Sequence, residues 1–202
     1  MIHTKTCLLL GNKQHTSKLK KCISNKNWLV VCKNKTINSK DLKNINLVIA
    51  FNYRHILKKK ILKQLMRPAI NLHISYLPFN RGAHPNFWSF VDNSPKGVTI
   101  HEIDEGLDTG PIIHQKKLSF NIKKKESDTF FKTYKILNNE IQKLFFKKIN
   151  QILNKNYSTK KQENNGTFHY KKDLPNFMKK KWKSKILNIL KIYNKKESLN
   201  KK

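Results

Sequence analysis

Acidic residues are scarce in this chain: 12 Asp and Glu stand against 43 Lys and Arg in 202 residues, a formal charge of +31 at pH 7. Cysteine is scarcer still. Cys7, Cys22 and Cys32 form no C-x-x-C pair, which argues against a disulfide scaffold or a zinc ribbon and points to a reducing cytoplasm. Long apolar runs are missing too. The longest, Cys7 to Leu10 and Leu47 to Phe51, are far too short for a bilayer span or the apolar stretch of a signal peptide, so neither secretion nor a membrane partner is expected. A Walker loop, a G-x-G-x-x-G turn, a G-x-S-x-G elbow and an H-E-x-x-H pair are all absent. Phosphate cradling of that kind, dinucleotide binding, serine hydrolysis and a bound metal therefore lack support.

What is abundant is lysine. Clustered cations suggest nucleic acid, because they release counterions from phosphates. Here the runs at Lys58 to Lys60, Lys123 to Lys125 and Lys179 to Lys181 are spread along the chain and accompany a surplus of Asn and Ile, the pattern of an A+T-biased coding sequence. A charge run of this kind reads first as a solvated face. RNA binding through the basic surface is the alternative it leaves.

Lys5 to Leu10 and Leu29 to Cys32 read as short buried strands flanking a helical stretch from Ser17 to Ile23, and Leu47 to Phe51 as a central strand covered on both faces. A helix over Lys58 to Met66, ended by Pro68, leads to a strand over Ala69 to His73. Pro78, Gly82 and Pro85 punctuate a long loop, followed by a helix over Asn86 to Asp92 and strands over Gly97 to Ile103 and Ile112 to Leu118. Ser127 is placed to cap a long helix whose Phe130, Tyr134, Leu137, Ile141 and Leu144 form one apolar stripe. This alternation predicts an α/β fold: an open, mostly parallel, twisted sheet with flanking helices. The expected units are residues 1–154 as a catalytic domain, 155–166 as a linker, and 167–202 as a short, basic, helical tail.

Two groups of residues could do chemistry. Asn71 and His73, two apart at the end of a strand, share one side, where open α/β sheets bind ligands. His101 to Gly110 holds Glu102, Asp104, Glu105 and Asp108, four of the 12 acids of an otherwise basic chain, a concentration that compositional drift does not explain. A carboxylate held between Gly106 and Gly110 could orient a neighbouring histidine. Asp108-Thr109-Gly110 also matches the aspartic-protease triplet, but a single such triplet among other acids, on a parallel-sheet pattern, does not fit that chemistry.

Together, Asn71-Leu72-His73-Ile74-Ser75-Tyr76-Leu77-Pro78, Arg81-Gly82, and Gly97-Val98-Thr99 through Asp108-Thr109-Gly110 resemble the formyltransferase family over about residues 45 to 120. The resemblance implies a Rossmann-type fold and transfer of a formyl group from 10-formyltetrahydrofolate to an amine. It makes Asn71, His73 and Asp108 the catalytic residues. Negative charge developing on the formyl oxygen would meet the Asn71 amide and a protonated His73, with Asp108 orienting the imidazolium. The same resemblance assigns folate contacts to His55, Ile56, Leu57 and Leu62 on one side, and to Ile103, Asp104, Glu105, Gly106 and Leu107 on the other.

The loop after Asn71 and His73 looks closest to the short nucleotide-sugar enzymes of the family. It implies an amino-sugar nucleotide as acceptor, met by Ser75, Tyr76, Phe79, Asn80 and Arg81, with Arg81 placed to meet a phosphate. Methionyl-tRNA and glycinamide ribonucleotide are the other acceptors within the family. Outside it stands an RNA-binding protein on a degenerate version of the same fold. The segment before Leu47 is short for the family. Apolar residues of the tail, among them Trp182, Ile186, Leu187 and Leu190, would dock on the body or serve a homodimer.

Overall fold

A computed structural model describes residues 4–163 and 165–200. The first three residues of the expected catalytic domain, Asn164 of the expected linker and the last two residues of the expected tail lie outside the described residues. Strands β1 (Thr6–Leu10), β2 (Leu29–Lys33), β3 (Leu47–Phe51) and β4 (Ile70–His73) pair in parallel. A two-residue strand β5 (Arg81–Gly82) follows, and then β6 (Lys96–Glu102) and β7 (Ile112–Leu118), which add antiparallel edges to complete a six-stranded sheet in the order β2-β1-β3-β4-β6-β7. The fold is thus a mixed α/β architecture with a mostly parallel sheet.

The apolar runs are explained by their two faces. Cys7 and Leu9 of β1, with Leu47, Ile49 and Phe51 of β3, pack under helices α1 (Lys13–Ser24) and α4 (Phe130–Leu153). Their alternates Leu8, Leu10, Val48 and Ala50 meet Leu57, Ile61 and Ala69 on the opposite face. The α4 stripe buries Phe130, Leu137, Ile141, Phe145, Ile149 and Ile152, while Tyr134 and Leu144 sit at its margin.

Four expectations need correcting. β2 is not buried: Leu29 and Val31 are 58% and 50% exposed, because the return from β2 to β3 contains only a one-turn 3₁₀ segment, Ser39–Leu42, and no full helix covers that face. α1 starts at Lys13, not Ser17, since the Asn12 side chain accepts the Gln14 N–H and caps it. The helix expected over 58–66 shrinks to α2 (Lys59–Leu62), whose first turn has no side-chain cap. Thr129, not Ser127, caps α4, for Ser127 Oγ donates instead to the Asn121 carbonyl.

The chain's last part is not wholly helical. Strand β8 (Phe168–His169) pairs in parallel with β5, and two short 3₁₀ turns precede α5 (Ile186–Asn200). Met178, Ile186 and Ile189 there join Phe87, Trp88 and Phe90 of α3 (Pro85–Val91) and Phe130 in a third core cluster. Phe87 is fully buried, with ring centroids 4.9 Å from Trp88 and 5.4 Å from Phe130. Its replacement by alanine should cost about 3–5 kcal/mol, read as a lower urea midpoint at unchanged slope.

Candidate active site

On β4 the side chains of Ile70 and Leu72 enter the main core, so the two-residue period turns Asn71 and His73 to the other face. β6 runs antiparallel beside it and sets His101 directly opposite Asn71. A bulge against β7 falls at Ile100 and His101, a device that re-aims a side chain. Beyond β6 the chain turns tightly. Asp104 Oδ1 accepts from the Gly106 N–H at 3.1 Å and from Thr109 Oγ1 at 2.7 Å, and so shapes the turn that carries Asp108. Asp108 itself is left-handed, φ 55°, a conformation Asp tolerates better than most residues. Gly110 is needed because a Cβ there would overlap the Glu102 carbonyl oxygen.

This folding brings Asn71, His73 and Asp108 together. Asp108 Oδ1 accepts from Asn71 Nδ2 at 3.0 Å, and Oδ2 accepts from the Gly82 N–H at 2.9 Å. His73 Nδ1 lies 3.6 Å from Oδ2, and His101 Nε2 lies 3.5 Å from Oδ1. Burial alone would raise the Asp108 carboxyl, but the two imidazoles and the Gly82 N–H outweigh it and hold the group below the usual carboxylate range. His73 moves down from the ordinary histidine value, chiefly by burial and partly by His101, against the pull of Asp108. Burial thus favours the uncharged imidazole, while the carboxylate beside it favours the cation.

His73 Nε2 faces the Asn80 carbonyl at 3.2 Å and donates to it, which fixes the ring and turns Nδ1 toward Asp108. His101 Nδ1 donates to the Glu102 carbonyl at 2.7 Å, and its Nε2 lies 3.2 Å from Asn71 Nδ2. The Asn71 amide thus already donates to Asp108, with the His101 ring packed beside it.

The trio opens on a cavity of about 990 Å³. Of the residues expected at the folate, His55, Ile56, Leu57, Ile103, Asp104, Gly106 and Leu107 line it. Leu62 does not: it faces a separate recess of about 350 Å³ with Leu65 and Arg67. Glu105 also lies off the wall, paired at 2.8 Å with Lys59 on the surface. None of the residues expected at the acceptor, Ser75, Tyr76, Phe79, Asn80 and Arg81, is among the described residues that line the cavity. Asn80 is fully buried and Ser75 nearly so. Arg81 is engaged by Gln162 Oε1 and the Glu163 carbonyl, while Tyr76 packs beside Gly97.

The cavity is lined also by His84, Phe131, Tyr170, Lys171 and Trp182, with His84 and Trp182 stacked at 5.6 Å. Sequence reasoning did not place these five at the wall, and it took His101 only as the start of the acidic stretch. The signal available was the pairing of aromatic and basic residues after His169, in a segment without periodicity.

A family pattern for formyl transferase matches residues 3–145. The methionyl-tRNA formyltransferase of Thermodesulfovibrio yellowstonii is 47% identical over 85 residues, 41% of this chain and 28% of its own length. The dTDP-4-amino-4,6-dideoxyglucose formyltransferase of Mycobacterium tuberculosis is 34% identical over 104 residues, 52% of this chain and 43% of its own. The chain thus spans less than half the length of these curated relatives. Among solved structures, the formyltransferase PseJ from Anoxybacillus kamchatkensis, in complex with UDP-4,6-dideoxy-4-formamido-L-AltNAc and tetrahydrofolate, superposes with a TM-score of 0.82 at 36% identity, covering 90% of this chain and 96% of that one.

Proposed function

The chain belongs to the formyltransferase family, and from that premise we propose that it moves a formyl group from 10-formyltetrahydrofolate to a primary amine on a nucleotide-linked amino sugar. The observation that carries the reading is the convergence of Asn71, His73 and Asp108 at a cavity large enough for two ligands. The residues present suit a folate. Ile56 and Leu107, both in the cavity wall, are 72% and 36% exposed, apolar side chains that a flat heteroaromatic ring would cover. The folate contacts on this side are assigned to His55, Ile56 and Leu57 and to Ile103, Asp104, Gly106 and Leu107. No helix among the described residues is long and apolar enough to cross a membrane.

When bound, the folate supplies an activated formyl carbon. The protein's part is electrostatic and protonic. Asn71 donates an N–H to the carbonyl oxygen as negative charge grows there. His73, in its neutral form, takes the proton of the attacking amine on Nδ1, the ring nitrogen turned toward Asp108. The new imidazolium then faces the ionised Asp108, which stabilises it without moving. Since His73 Nε2 stays on the Asn80 carbonyl, the ring keeps its orientation and can return the proton to the departing nitrogen.

The acceptor reading draws on the stacked His84 and Trp182, which offer faces to a base, and on Lys171, which offers charge to a phosphate. It draws also on the ligand named for PseJ. A second reading, methionyl-tRNA, is favoured by the 47% identity to the Thermodesulfovibrio enzyme. The test is incubation with 10-formyltetrahydrofolate and a panel of UDP- and dTDP-linked amino sugars, methionyl-tRNA and glycinamide ribonucleotide, following formyl incorporation by mass. The expected product is a formylated sugar nucleotide. Transfer to methionyl-tRNA alone would move the assignment to that acceptor, and transfer to none would end it.

A further inference from the structure

Between α4 and α5 the chain runs back across the catalytic loops in a polar stretch that reads in sequence as a linker. Gln162 lies in it, and it is 7% exposed. Its Nε2 donates to the Asp108 carbonyl at 2.9 Å and to the Gly110 carbonyl at 2.7 Å, while its Oε1 accepts from Arg81 Nε at 3.0 Å. One amide therefore bridges the turn that presents Asp108 and the strand β5 whose Gly82 N–H holds the Asp108 carboxylate.

A few residues on, the same stretch holds the histidine's support. The Asn80 N–H donates to Thr167 Oγ1 at 2.7 Å, the Arg81 N–H to the Thr167 carbonyl at 2.9 Å, and the Ala83 N–H to the His169 carbonyl at 2.8 Å. Asn80 is the residue whose carbonyl receives His73 Nε2. Both members of the imidazole–carboxylate pair are therefore set by one segment far away in the chain. A left-handed Asp108 needs such holding, because backbone in that region persists only where its surroundings over-determine it.

We propose that Gln162, Thr167 and His169 act together as a catalytic strap and that Gln162 is a positioning residue, keeping the Asp108 carboxylate in register with the His73 imidazole. The inference rests on His73 and Asp108 as the reacting pair. It assigns to Gln162 no contact with either substrate. Its loss should lower turnover while sparing folate affinity, since a displacement of about 1 Å at reacting groups costs on the order of a hundredfold.

Gln162→Met keeps the length of the side chain and removes all its hydrogen bonds. Gln162→Glu keeps an acceptor for Arg81 but sets a second oxygen against the Asp108 and Gly110 carbonyls. Each full-length variant is examined by thermal melting, by calorimetric binding of 5-formyltetrahydrofolate, by NMR titration of its histidine rings, and by kcat and KM on the accepted substrate. The groups facing His73 are Asp108 and His101.

The expected result is a kcat reduced roughly tenfold to a hundredfold, with 5-formyltetrahydrofolate affinity within about threefold of wild type. In Gln162→Met the His73 midpoint should shift downward, because the carboxylate that raises it has moved away. If the wild type formylates no acceptor, the proposed function fails, and the His73 midpoint alone decides the strap. Should Gln162→Met not fold, Thr167→Val carries the same readouts. Variants that only melt lower, with kcat and the His73 midpoint unchanged, overturn the proposal.

Discussion

Replacing Asp108 with asparagine should lower formyl transfer by about a thousandfold or more, with 5-formyltetrahydrofolate binding changed only a few-fold. The carboxylate accepts N–H donors at both oxygens, from Asn71 and from Gly82. An amide can satisfy only one of them and turns its own N–H toward the other. The charge opposite His73 is lost as well, so the imidazolium formed in the reaction has no counter-ion. The pH profile gives a second readout. Activity requires neutral His73, so kcat/KM should fall on the acid side with a midpoint below the ordinary histidine value of about 6.5. In Asp108→Asn that midpoint moves lower still, because the carboxylate raises it in the wild type.

Stability follows the same groups. A histidine depressed by burial binds its proton more readily when unfolded, so stability starts to fall as pH drops below about 6.5. The depressed Asp108 contributes stability that is complete above its unfolded pKa, about 4, and is lost as pH falls through its folded value. Both terms act in one direction, and thermal melting across the acid range should register them in that order.

The second large effect is expected for Asn71→Asp, a change of nearly equal shape. It removes the only N–H donors the residue has and places a second carboxylate where Nδ2 lies 3.0 Å from Asp108. Two carboxylates that close cannot both ionise, so one retains a proton and its pKa rises sharply. Losing one donor to a developing oxyanion costs on the order of a hundredfold to a thousandfold in rate. Single-turnover transfer with 10-formyltetrahydrofolate measures that loss. Melting should show the variant growing less stable relative to wild type as pH rises, the reverse of the ordinary acid sensitivity, and a pH-independent difference would count against the paired-carboxylate account.

Much of the fold could be read from local pattern. β1 and β3 announce themselves because strands covered on both faces are apolar at every position, as Leu8 and Leu9 are. Asn71 and His73 stood out because a strand's alternation places them on one side, and Asp108 because its acids run against the chain's composition. His101 stood only as the start of that acidic stretch. Its place opposite Asn71 depends on antiparallel register between strands separated by a long loop, which no local spacing records. Leu62, the last residue of α2, lines the smaller recess, an orientation that its place in the sequence does not record.

The loop from Ser75 to Arg81 misled in a more instructive way. Its polar side chains looked free to meet a substrate, yet Asn80 spends them on Asp92, Ser94 and Thr167, and Arg81 on Gln162. Here these polar side chains tie the loop to its neighbours. The stretch from 155 to 166 misled for the complementary reason. Gln162 is buried by hydrogen bonding, which leaves no apolar signature to detect.

The pairing of β5 with β8 also sets a schedule for biosynthesis. Asn80 and Thr167 are 87 residues apart in the chain, so at ribosomal speeds of about 5–20 residues per second the later partner emerges roughly 4 to 17 s after the earlier one. The six-stranded sheet contains nothing beyond Leu118 and can assemble first on the nascent chain. Until translation delivers Gln162 and Thr167, His73 on the sheet and Asp108 on its turn lack the bonds that aim them. If the strap acts as proposed, competence for transfer arrives late in synthesis, and a product ending before this stretch should keep its central sheet but transfer no formyl group.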